Sequence, residues 1–223
     1  MAIIEILGPP GVGKTSLRKR LAQSDPQRTW DTRKGAIRKL KGLPRLSKAD
    51  RFLLKKKISR VLFQEKPKFY DAFVRVRSSW RCLYKDVLMR ACYADKDMVN
   101  DDSLFHYFLP EILALAKADS PAFVELSSNR RFVILYSSPR LIVQNVRRRQ
   151  DRGIYRTGVS SSADEALMRR AENYNSNLRS FEDVCGTWGF PALAVIYENN
   201  ADVDAEVLQF IIGPKAAGPN QAE

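Results

Sequence analysis

An α/β domain, with a parallel sheet of about five strands covered by helices on both faces, is the fold class this sequence predicts. Three observations carry it. Short apolar runs recur at residues 3–7, 132–136 and 192–197, with a briefer one ending at Val99. Continuous apolarity of this kind belongs to strands buried on both faces. Helix-like stretches separate the runs, and strands alternating with helices pair in parallel. The turn after the first run is Gly8-Pro9-Pro10-Gly11-Val12-Gly13-Lys14-Thr15, a glycine loop leading from strand to helix.

That loop is a complete G-x-x-x-x-G-K-T in the context that gives the pattern physical meaning. Its glycines let the backbone turn tightly and approach a ligand, so that successive N–H groups point at phosphate oxygens. The helix from Ser16 to Gln23 adds unpaired donors and its positive end. Lys14 can reach the β- and γ-phosphates of a nucleoside triphosphate, and the Thr15 hydroxyl can bind Mg²⁺. Residues Gly8, Pro9, Pro10, Gly11, Val12, Gly13, Lys14, Thr15 and Ser16 are therefore the predicted nucleotide-binding set, in a three-layer P-loop NTPase fold.

Further along, Asp25-Pro26 ends the first helix. Residues 28–66, rich in Lys, Arg and Leu, read as short helices. The best runs from Ser47 to Phe63, with Ser47 as cap, Asp50 three residues on, and an incomplete apolar face of Phe52, Leu53, Ile58, Val61 and Leu62. The stretch from Phe69 to Val76 is ambiguous. Ser78 or Ser79 is then expected to cap a helix through Ala91, with Trp80, Leu83, Tyr84, Val87 and Leu88 inward. Residues 98–102 read as a strand tail ending in Asp101 and Asp102. Residues 103–118 read as helical, split near Pro110.

A clean strand at 131–136 turns through Ser137-Ser138-Pro139 into a helix from Arg140 to about Arg149. Gly153 and Gly158 bracket a basic loop. A long polar helix from about Ser162 to Cys185 follows, opened by a serine with Glu165 three residues on. After the strand at 192–197, Asn199-Asn200 form a turn, and Asp202 or Asp204 begins a helix through Ile212. No residue sets the order of the strands.

Composition narrows the class. At 44% hydrophobic, the 223 residues can bury a core, and one domain covering 1–223 accommodates all the elements. No run reaches the ~18 apolar residues of a membrane span, and no basic segment precedes an apolar stretch as in a signal peptide. Cys82, Cys92 and Cys185 lack metal spacing and read as reduced thiols of a cytoplasmic protein. The net charge of +13 is concentrated: residues 28–90 hold 20 Lys/Arg and 5 Asp/Glu, a net of +15. Such a segment attracts anions, whether a phosphorylated metabolite, a nucleic acid or an acidic lipid surface. Residues 28–90 are accordingly the expected substrate-binding insertion.

Two groups of side chains are placed for chemistry. Asp101 and Asp102 fall at the end of a strand, the edge where the phosphate loop also sits. A carboxylate there can hold Mg²⁺ or accept the proton of an attacking hydroxyl, and the sequence leaves the two roles open between them. The second group is Arg147, Arg148, Arg149, Arg152 and Arg156, in a segment (147–160) able to close as a lid. Planar guanidinium groups engage two phosphate oxygens at once, and closure keeps water from the phosphoryl group. His106, the sole histidine, is read as an interhelical or surface residue rather than a base.

With these pieces assembled, the chain resembles P-loop kinases of the nucleoside, nucleotide and small-molecule type. GPPGVGKTSLRKRL at 8–21 resembles their phosphate loop and first helix, VNDDS at 99–103 their carboxylate-bearing strand end, FVILYSSPRLIVQNVRRRQDRG at 132–153 their penultimate strand, helix and lid, and ALAVIYENNADVDAEVLQFI at 192–211 their last strand and closing helix. The resemblance implies ATP and Mg²⁺ as cofactors, Arg148 against the adenine, Arg152 and Arg156 on phosphates, and Asn199 and Asn200 beside the base. It covers about half of the chain. No D-G-F-P-R follows Asp101 and no N-K-x-D for guanine occurs. The expected activity is ATP-dependent phosphoryl transfer to a hydroxyl or phosphate of a small, anionic acceptor. A polynucleotide 5′-hydroxyl kinase using the basic segment, and an ATP-binding regulatory or assembly ATPase, are the alternatives.

Overall fold

The computed structural model describes residues 3–24, 45–64, 69–92, 98–101, 103–152, 163–197 and 201–212. Strand β1 (Ile3–Leu7) leads through the glycine loop to helix α1 (Lys14–Ser24). Helix α2 (Lys48–Ser59), a π-helical turn (Arg60–Gln64) and α3 (Phe69–Cys92) form the basic segment. Strand β2 (Met98–Asn100) is followed by α4 (Leu104–Tyr107), α5 (Leu109–Ala118) and α6 (Ser120–Ser127). Then come β3 (Arg130–Tyr136), α7 (Pro139–Asp151), α8 (Asp164–Trp188), β4 (Ala192–Ile196) and α9 (Ala201–Ile212). The strands are ordered β2-β1-β3-β4 and all pair in parallel. Among the described residues the sheet thus has four strands where the sequence predicts about five.

Each face of the sheet has its own core. Ile4 and Ile6 of β1 lie with Val133, Leu135 and Val195 against Leu17 and Leu21 of α1 and Val207 and Ile211 of α9. Leu7, Phe132 and Ile134 point the other way, onto α2, α4, α5, α6 and α8. Phe105, Phe132 and Phe181 meet there with ring centroids 4.9–5.6 Å apart. Such tilted pairs contribute roughly 0.5–1.5 kcal/mol each beyond their buried area. Because both faces are covered, the strands read as unbroken apolar runs.

Glu5 is the exception within β1. It is fully buried and bonds Arg130, whose other nitrogen reaches both Asp86 oxygens at 2.8 Å. Asp86 also accepts from Arg90 at 2.9 Å, and Arg90 reaches Asp50 at 2.6 Å. This five-member chain clasps β1, β3, α3 and α2 together. Burial pushes the Glu5 carboxyl up to about 7, against the pull of Arg130 and with the Asp86 charge adding to the rise.

Several boundaries differ from the sequence reading. Helix α2 begins after Ser47 with the predicted capping box: the serine hydroxyl accepts from Asp50 N, and the aspartate accepts from Ser47 N. Helix α3, however, starts at Phe69 and needs no cap at Ser78 or Ser79, because Ser79 bonds back to Arg75 O at 2.9 Å within the helix. Trp80 faces solvent at 42% exposure rather than the core. Helix α6 is unanticipated. Helix α8 opens at Ala163 without a side-chain cap, and α9 starts before Asp202. Cys82 and Cys185 are buried, and burial lifts the Cys185 thiol to about 12, which makes it unreactive. No described helix is long and apolar enough to cross a membrane.

Candidate functional site

The phosphate loop emerges from the C-terminal end of β1 and is held from two sides. Gly8 passes so close to β3 that a Cβ would lie 2.9 Å from Leu135 O and 2.8 Å from Val12. Gly11 has φ +93°, and its Cβ would press on Ile142 O and the Val146 side chain of α7 at 3.2 Å. Only glycine meets both demands. Asn145 of α7 donates to Gly11 O at 3.1 Å and ties that helix to the loop. Lys14 opens α1 and bends back, its Nζ donating to Gly8 O at 2.6 Å and Pro9 O at 3.1 Å. Pro10, Thr15 and Ser16 are exposed, while Pro9, Val12 and Gly13 are buried.

Thr15 is the junction with β2. Its hydroxyl donates to Asp101 Oδ2 at 2.8 Å, and Arg18, one turn further along α1, pairs with Asp101 Oδ1 at 3.2 Å. Parallel pairing of β1 with β2 makes this contact, since Glu5 aligns with Asn100 and Asp101 follows at the same sheet edge as the loop. A hydroxyl and a carboxylate are hard oxygen donors suited to Mg²⁺, which keeps several waters and takes one or two carboxylates plus phosphate oxygens. The donor set therefore fits that ion. Among the described residues no cluster of three or more His, Cys, Asp or Glu could hold a metal by side chains alone.

Arg148 and Arg152 are exposed on the last turn of α7 and at its end. They belong to the helix that Asn145 anchors on the loop. Arg147 turns instead to Asp164 of α8, at 2.5 Å. Asp102, Arg156, Asn199 and Asn200, with the loop between Gly153 and Gly158, lie outside the described residues.

His106 sits on α4, directly after the β2 end. Its Nδ1 is 2.5 Å from the Tyr174 hydroxyl of α8, which also reaches His106 O at 3.3 Å. Burial, with Lys14 and Lys57 as nearby positive charges, holds its pKa well below the usual value. The interhelical position matches the sequence reading, yet Lys14 is one of its electrostatic neighbours. Lys57 donates to Tyr107 O at 2.7 Å, and Arg60 pairs with buried Glu111 at 3.2 Å.

No family model matches the chain, and no curated protein does. Solved structures with a similar course of the chain include a deoxyadenosine kinase from M. mycoides with bound dATP, at 13% identity and a TM-score of 0.47, covering 94% of this chain and 97% of that one. Another is a shikimate kinase from Acinetobacter baumannii in complex with shikimate, at 15% identity and a TM-score of 0.46, covering 97% and 96%. Likenesses of this size carry no chemistry across. The fold is of the P-loop type by its own geometry: a glycine loop between the first strand and first helix of a parallel sheet.

The structure thus brings Thr15 and Asp101 into contact beside Lys14, with Arg18, Asn145 and His106 as their neighbours. Arg18 was detectable, lying three and four residues from Thr15 and Lys14 on one helical face. Asn145 carried no signal, because its partner is a backbone carbonyl 134 positions away.

Proposed function

We propose that this chain is an ATP- and Mg²⁺-dependent kinase that passes the γ-phosphoryl group to a hydroxyl or phosphate of a small, anionic acceptor. The observation that carries this reading is the 2.8 Å bond between Thr15 and Asp101 beside the Lys14 loop. That contact supports the reading because a hydroxyl and a carboxylate beside the glycine loop are oxygen donors of the kind Mg²⁺ takes. Lys14 would leave the Gly8 and Pro9 carbonyls for the β- and γ-phosphates. Thr15 and Asp101 or Asp102 would hold Mg²⁺, and the carboxylate not so engaged would accept the acceptor's proton. Arg148 would cover the adenine, Arg152 and Arg156 would close on the phosphates, and Asn199 and Asn200 would flank the base. The basic segment would hold the acceptor's anionic part, and its charge suits a cytoplasmic, phosphorylated or carboxylated metabolite. The test is Lys14→Ala in a folded sample, assayed for ADP release with acceptor. Loss of several orders of magnitude is expected, and undiminished turnover overturns the reading.

A second reading has an observation of its own. Tyr70, Phe73 and Trp80 stand on one face of α3 at 74%, 56% and 42% exposure. Arg77 and Arg81, also exposed, lie on the same face. Rings that stack on bases, interleaved with cations that meet phosphates, suit a single-stranded polynucleotide acceptor. Oligonucleotide binding that weakens steeply with salt, and is lost in Trp80→Ala, would favour it.

A further inference from the structure

Helix α3 has two halves of opposite character. Residues 82–89 are packed into the fold, with Leu83, Val87 and Leu88 buried. Within residues 70–81 only Ala72 and Ser79 are buried, two turns apart on the inner side, and most of the helix surface is open to water. The face opposite that inner line is largely apolar. Phe73, Arg77 and Arg81 follow one another at steps of four residues, Tyr70 and Val74 run beside them at the same step, and Trp80 falls two turns beyond Phe73. Six of the ten large apolar side chains that the described residues leave exposed lie within residues 62–80. Two of these, Leu62 and Phe63, stand on the π-helical turn, which packs against α3. A concentration of this kind marks an interaction surface.

Charge decides what fits it. Arg77 and Arg81 lie inside the apolar stripe, exposed Arg75 flanks it, and Asp71 is the only acid in residues 70–81. A second copy of the chain would bring these arginines together, which like-charge repulsion opposes. Single-stranded nucleic acids are tracked by charged grooves. Here Tyr70 and Phe73, each more than half exposed, stand on the outward ridge of one helix, and Val74 and Leu62 have no ring to stack on a base. An anionic bilayer interface takes such a ridge whole. Its acyl boundary receives the aromatic and aliphatic side chains while the arginines reach up to the lipid phosphates.

We propose that the outer face of residues 70–81 docks the protein on an anionic lipid surface, lying in the interface without crossing it. The docking needs no nucleotide and stands apart from the kinase reading.

The test is flotation of the full chain with phosphatidylcholine vesicles containing phosphatidylglycerol, against vesicles of phosphatidylcholine alone. The anionic vesicles should carry the protein, the neutral ones roughly tenfold less, and added salt should release it. A double variant, Phe73→Gln with Trp80→Gln, removes two rings without altering charge. Another, Arg77→Gln with Arg81→Gln, removes two charges and leaves the rings. Each should weaken vesicle binding about tenfold or more at an unchanged melting temperature, since all four side chains are exposed. Trp80→Phe keeps a ring, so binding should persist while the blue shift of tryptophan fluorescence on anionic vesicles diminishes. That readout holds even where a double variant misfolds. Binding that is absent, equal on neutral vesicles, or unmoved by both double variants overturns the proposal, as does a blue shift that Trp80→Phe leaves intact. Capture of a single-stranded oligonucleotide without vesicle binding would assign the face to a polynucleotide. Self-association abolished by the Phe73 and Trp80 changes would assign it to a second copy, and either result overturns lipid docking.

Discussion

Glu5 and Asp101 are carboxylates on neighbouring strands, almost level in the parallel register, and they do opposite things. Glu5 aligns with Asn100, and Asp101 is the next residue. Glu5 nevertheless points into the helical layer, is fully buried, and is bonded to Arg130. Asp101 lies beyond the last strand residue, where its oxygens meet Thr15 and Arg18 at the mouth of the phosphate loop. One carboxylate holds the sheet to its helices and the other sits beside the glycine loop, where the proposed function uses it. Position along the strand, rather than residue type, decides between the two places.

The strongest way to break this contrast is to neutralise each carboxylate's neighbourhood and ask what is lost. Asp101→Asn keeps the size and one acceptor oxygen but removes the charge. Phosphoryl transfer should fall by about 10²–10³, in line with losing one electrostatic contact to the transition state, while the unfolding midpoint moves little. A large drop in stability with activity intact would reverse the roles assigned to the two strands.

Arg130→Met makes the complementary change. It leaves Glu5 and Asp86 buried without their shared cation, and removing one partner of a buried pair costs roughly 3–5 kcal/mol. Urea denaturation should show that loss. Any protein that remains folded should still bind ATP, since no atom of Arg130 touches the loop in the contacts described. Normal stability would mean that the five-member chain is decorative.

The same contrast explains what the sequence made legible. The phosphate loop is local: strand, glycines, lysine and threonine occupy thirteen consecutive residues, and their spacing alone implies a geometry. Asp101 was reachable because a carboxylate at a strand end shares an edge with the loop in any parallel α/β sheet. The clasp was not. Glu5, Arg130, Asp86, Arg90 and Asp50 come from four elements, and nothing in the pattern IIEIL announces that its charged residue faces inward. The Ser137–Asn175 and His106–Tyr174 contacts likewise join positions 38 and 68 residues apart. Helix α3 was misjudged for a related reason. Its outer face carries Tyr70, Phe73 and Trp80, so the inward place expected for Trp80 does not occur.

The smallest expected effect concerns how Glu5 responds to pH, and it sharpens the comparison most directly. Its folded carboxyl titrates at about 7 against 4.5 for the free group, mainly because burial penalises the anion. The folded state therefore holds a proton that the unfolded state releases between these values. By linkage, the contribution of Glu5 to stability is fully present below 4.5 and is lost as pH rises through 7. Glu5→Gln cannot titrate, and every other group is common to both proteins. The stability of wild type minus that of Glu5→Gln should consequently decline from pH 4.5 to 8 by roughly 1–3 kcal/mol. Paired urea titrations at the two ends of that window measure it. A difference that stays flat across that window would mean that the folded carboxyl holds no extra proton there, the Arg130 contact offsetting the cost of burial. Glu5 would then be an ordinary salt-bridge anion, and depth in the sheet would no longer account for how it differs from Asp101.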